Sequence, residues 1–156
     1  MCGLAVQSVA AGRRSLDAAA SSPEELVRRF LDLVAGNNVD QIRRLAVNEE
    51  EFSLLLYPET PAADPRRNTS AEFVWNMHHI RSESSLERMI HAIGGRRLEL
   101  EELRFTGGTT EYETYRVHRD SLLVLRDENG EQQRVRLFGS VLELDNQFKI
   151  FSFIND

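Results

Sequence analysis

The chain is poor in the residues that usually announce chemistry. It has one cysteine (Cys2), one lysine (Lys149) and one tryptophan (Trp75) in 156 residues. A single cysteine forms no internal disulfide and no multi-cysteine zinc site. No apolar run approaches the roughly 20 residues that cross a bilayer. Walker and GxGxxG sequences are missing, so neither kind of nucleotide loop is supported. The histidines His78, His79, His91 and His118 show no HExxH or HxH spacing, and adjacent helical residues diverge by about 100°. The expectation is therefore no metal and no cofactor.

What charge there is lies evenly along the chain. The net charge is -6, and residues 1–75 carry 8 basic and 11 acidic side chains against 11 and 14 in residues 76–156. Without a basic face, nucleic acid is not the expected partner. The apolar fraction of 41% and aromatic content of 8% belong to a globular protein, and the length suits one domain.

Residues 1–21 are rich in Ala, Ser and Gly and read as a flexible leader, with one domain over 22–156. The opening MCGLAVQSVAAGRRSLDAAASS is similar to the start of a mature bacterial lipoprotein, a Cys-Gly followed by a small-residue tether. That resemblance implies lipid attachment at Cys2, membrane association through the anchor alone, and a periplasmic or cell-envelope location. The alternative is an unanchored, partly disordered cytoplasmic start, because no signal peptide or lipobox precedes Cys2.

Helix signals sharpen at Ser22-Pro23-Glu24-Glu25, which offers an N-cap, a first-turn proline and a capping-box glutamate. Leu26, Val27, Phe30, Leu31 and Val34 share one face, and Gly36 suits the C-cap. Asn38 opens a second short helix and Asn48 a third, which stops before Pro58. Three prolines predict a loop over 57–69. Helical spacing returns over 70–80 through Phe73, Val74 and Met77, and again over 85–93 through Leu86, Met89, Ile90 and Ile93. Core packing is the expected role of Phe73 and Met77. Alternation then predicts strands over 98–105, 111–126, 132–144 and 148–154, with a tight hairpin at Asn129-Gly130 and a bend at Gly139.

The stretches SPEELVRRFLDLVAGNNVDQIRRLAV and RVRLFGSVLELDNQFKIFSFIND resemble the nuclear-transport-factor-2-like (SnoaL-like, cystatin-like α+β) superfamily over residues 22–154. The resemblance implies N-terminal helices packed in the concave face of a strongly curved antiparallel sheet, a cone around a pocket. It also implies a homodimer through the sheet. Leu122, Val124, Phe138, Leu142, Leu144, Phe151 and Phe153 would make the convex face too apolar for water. The alternative is that the leader or the 57–69 loop folds back over that face.

No acid–base constellation stands out. The candidates are His78 or His118 with Glu113 or Asp120, and Tyr115 to steady a developing oxyanion. Glu113 and His118 differ in alternation parity, so only a bulge would bring them to one face. Trp75 points off the Phe73–Met77 face and, with Tyr57, could grip an apolar ligand by ring contact. Arg66 and Arg67 on the adjoining loop could hold an anionic group. The expected function is a non-catalytic domain that binds a small apolar or anionic molecule, or another protein. The alternative is a cofactor-independent isomerase or dehydratase using a pocket histidine on a hydrophobic small molecule.

Overall fold

The structure, a computed structural model, describes residues 15–155. Helix α1 (Pro23–Ala35) begins where Ser22 Oγ accepts from the Glu25 N–H at 3.1 Å, and it buries all five predicted apolar residues. Glu25 reaches past the cap to Ser21, whose hydroxyl and N–H bond its carboxylate, with Arg29 at 2.6 Å. These bonds, Ser21 foremost, hold its carboxyl down at about 2. Helix α2 (Val39–Arg44) buries Ile42. Helix α3 (Glu49–Glu51) has the full capping box: Asn48 Oδ1 accepts from the Glu51 N–H and Glu51 accepts from the Asn48 N–H. It runs into a π-turn at Phe52–Leu56, and the prolines of the next stretch sit in 3₁₀ turns at Tyr57–Glu59, Pro61–Ala63 and Pro65–Arg67.

The two helices expected over 70–80 and 85–93 are one, α4 (Ala71–Ile93), because nothing between them breaks a helix. In its N-terminal half the core-facing side is the reverse of expectation, while Leu86 and Met89 are buried as the spacing predicts. Trp75, Ser82, Ser85, Leu86 and Met89 are buried, whereas Phe73, Met77 and Ile80 are 58%, 56% and 68% exposed.

Seven strands follow: β1 (Glu99–Phe105), β2 (Thr109–Glu111), β3 (Arg116–His118), β4 (Ser121–Arg126), β5 (Gln132–Val135), β6 (Val141–Leu144) and β7 (Gln147–Ile150). All pair antiparallel, in two open sheets of order β1-β4-β5 and β2-β3-β6-β7. The strongly curved, cone-shaped sheet with helices in its concave face is therefore not present, and the nuclear-transport-factor-2-like resemblance does not hold. The physical reason lies in two breaks within what reads as continuous strand. Asp120, at φ 59°, turns the chain from the second sheet into the first. Residues 136–140 carry it back. Gly139 sits there against the C-terminal segment, donating to the Ser152 carbonyl at 3.1 Å, and a Cβ on it would lie 2.2 Å from the Ile154 carbonyl oxygen.

The four-stranded sheet has a core on each face. Val141, Phe148 and Ile150 join α1, β4 and the lower part of α4 on one side. Val117, Leu142 and Leu144 join Leu16, Phe52, Leu56 and Trp75 on the other. The residues expected on one convex face are thus divided: Phe138 and Phe153 belong to the first core, Leu142, Leu144 and Phe151 to the second. The last residues of the leader and the π-turn cover the second face within the chain. Strand β7 is an edge strand in sheet order, yet isolated bridges from Ala20 and Ala46 close its outer side.

Candidate ligand-binding cleft

On α4, Trp75, His78, His79, Ser82 and Glu83 stand at helical spacings i, i+3, i+4, i+7 and i+8 and so share a face. That face, the connection from Ala46 to Glu49, and the segment Phe151–Phe153 enclose a cleft of about 190 Å³. Trp75 organises one wall. His79 stacks on the indole at 5.1 Å and 18°, Phe52 leans on it at 5.6 Å, and His78 lies at 6.4 Å. Both histidines approach one indole because i+3 and i+4 flank the same position a turn below. His78 also meets Phe151 edge-on at 5.6 Å.

Polar side chains line the cleft beside the rings. Glu83 takes the Arg43 Nε with both oxygens, at 3.0 and 3.2 Å, and Arg43 also reaches Asp40 at 3.1 Å. The Glu83 bond foremost raises the Arg43 pKa further, so this guanidinium stays charged. Ser82 Oγ accepts from the Phe153 N–H at 3.0 Å. Burial pushes the His78 pKa down, and the nearby Arg81 and His79 push the same way; the Phe151 backbone opposes them as a hydrogen-bond partner. The ring is therefore held neutral.

The predicted catalytic pairs do not assemble. His78 and Asp120 border a second depression of about 250 Å³ behind Phe151, but no hydrogen bond joins them among the described residues. Glu113 is exposed. Tyr115 is buried, its hydroxyl donating to the Leu56 carbonyl at 2.8 Å, and burial above all raises its pKa beyond the usual phenol range. His118 does find a carboxylate, but it is Glu143: Nε2 lies 2.9 Å from Oε1, while Nδ1 lies 3.0 Å from Thr109 Oγ1 and Phe105 stacks on the ring at 5.1 Å. The register that sets Arg116 against Glu143 and His118 against Val141 makes His118 and Glu143 diagonal neighbours. Glu143 was legible only as the one charge inside VLEL. This pair lies outside the cleft.

Of the predicted ligand-gripping residues, Trp75 alone lines the cleft. Tyr57 braces the 57–69 loop, its hydroxyl between the carbonyls of Ala62, at 3.2 Å, and Thr69. Arg66 is held by Asp64 at 2.9 Å with its side chain 90% exposed, and Arg67 is exposed. Local sequence did not foretell Phe151, Phe153 and Glu49 as cleft residues, since two segments distant from Trp75 contribute them. Among the described residues no group of three His, Cys, Asp or Glu is placed to hold a metal ion, and no helix is long and apolar enough to cross a membrane. Cys2 lies outside the described residues.

No protein-family model matches the chain, and comparison with curated proteins and with solved structures finds no match either. The nuclear-transport-factor-2-like and bacterial-lipoprotein readings therefore gain no relative in support.

Proposed function

We propose that this protein is a non-catalytic binding module whose cleft takes one small molecule. The observation that carries the reading is a mostly apolar recess of about 190 Å³ with the sole tryptophan in its wall. A cavity of about 150 Å³ admits benzene, so the recess suits a ligand of the bulk of one six-membered ring. Aromatic walls supply contact area at small entropic cost, and a few fixed polar groups supply orientation. Trp75 reports directly on occupancy. Titration with phenol, benzoate and tetramethylammonium should give a saturable change in its emission with at least one probe; no change with any of them would sink the proposal.

The catalytic alternative rests on the chain Thr109–His118–Glu143. Nε2 faces the Glu143 carboxylate and Nδ1 the Thr109 hydroxyl, an acid–base arrangement in outline. It stands on a sheet face apart from the cleft, which weakens it. Loss of a turnover in His118→Ala with the cleft intact would favour this reading over the first.

A further inference from the structure

We infer that the cleft selects a small ammonium cation, a ligand with a positive charge and an apolar skin. This deepens the proposed binding role and rests on it. Arg43, Glu49 and Glu83 are the acidic and guanidinium side chains of the lining, a formal balance of one negative charge, with the positive charge of Arg81 close enough to act on His78. Arg43 is already committed, gripped by both oxygens of Glu83 and by Asp40. An incoming carboxylate would have to compete with two carboxylates for that one guanidinium. Glu49, by contrast, is exposed in the first turn of α3 and takes no ion-pair partner among the described residues. It is the charge left over.

The remaining walls suit the same ligand. Trp75, Phe151 and Phe153 bring aromatic rings; His79 and Phe52 already rest against the indole, so half-buried Phe151 is the ring most open to a cation. His78 adds no opposing charge, because its buried ring is held neutral. A methylated ammonium spreads its charge over methyl groups and sheds water at lower cost than a primary amine, which suits a recess whose exposed lining surface is mostly apolar. An anion would meet the uncommitted Glu49 carboxylate, and a neutral ring makes no use of it.

The test uses the whole chain and three probes of similar bulk: tetramethylammonium, phenol and benzoate. Trp75 emission gives the affinity, and the methyl proton resonance of tetramethylammonium should move upfield as it enters the ring currents. The expected result is saturable tetramethylammonium binding, weaker or no response to phenol and benzoate, and a loss of about 5-fold in affinity in Glu49→Gln. Binding of phenol or benzoate without tetramethylammonium would overturn the cation inference and leave the binding role standing. Silence from all three probes would remove both. Tetramethylammonium binding unchanged in Glu49→Gln, with that variant's thermal unfolding as for the parent, would overturn the assignment of charge selection to this carboxylate.

Discussion

Lys149 Nζ lies 2.8 Å from Glu51 Oε1, and the two side chains are 1% and 8% exposed. The only lysine of the chain is thus spent on an interior ion pair. Glu51 is the hub: its Oε2 accepts from the Asp17 N–H at 2.8 Å and its Oε1 also accepts from the Asn48 N–H. One carboxylate joins the end of the leader, the start of α3 and strand β7. Removing one partner strands a buried charge, which typically costs about 3–5 kcal/mol, whereas removing both does not add the costs. Lys149→Met and Glu51→Gln should each lower the urea midpoint strongly, and the double variant should fall well short of their sum. Simple additivity would show that the two groups are not coupled.

His78 should make stability depend on pH. Burial sets its folded pKa below the ordinary 6.5, so the unfolded chain takes up the proton first as pH falls. Its contribution is intact above 6.5 and is lost as pH drops from there towards the depressed folded value. Between pH 7.5 and 5 the parent should therefore lose more stability than His78→Gln. Equal losses in denaturant titrations would mean that the ring is not held neutral.

Gly139 should tolerate no side chain, while Gly36 should. A Cβ at 139 meets the Ile154 carbonyl oxygen at 2.2 Å, a backbone atom unable to swing away, whereas the nearest atoms at 36 are 3.8 Å off. Gly139→Ala should cost about 1–3 kcal/mol through displacement of the C-terminal segment. Gly36→Ala, at an ordinary negative φ of -89°, should stay within about 0.5 kcal/mol of the parent. Calorimetric melting of the two variants separates the cases.

The exposed stripe Phe73, Met77 and Ile80 lies opposite the buried side of α4. Replacing Met77 and Ile80 with glutamine should leave stability within about 0.5 kcal/mol per site, since no core contact is lost. A large drop on thermal unfolding would mean that this side is packed after all.

Much of the local structure was legible because its causes are local. Ser22 and Asn48 cap helices through their own side chains, the α1 stripe repeats at 3.6 residues, and Asn129-Gly130 turns through the positive φ of Gly130 at 78°. The N-terminal half of α4 was not legible in the same way. Phe73, Val74, Trp75, Met77 and Ile80 place apolar groups all around the helix, so periodicity names no inner side. Only the position of the four-stranded sheet decides that Trp75 turns in and Met77 out.

The sequence by itself determined helix-then-strand order, the caps, the turns and the sparse chemistry of the chain, because each follows from neighbours a few residues apart. Tertiary structure alone decided the rest. Strand alternation is the same whether successive strands extend one sheet or change sheets at Asp120 and Gly139, so two open sheets and one curved sheet look alike in sequence. Pairing across 98 residues joined Lys149 to Glu51, and pairing across 25 joined His118 to Glu143 in place of its nearer acidic neighbours. The cleft has the same origin: its walls come from three segments that meet only when the chain is folded.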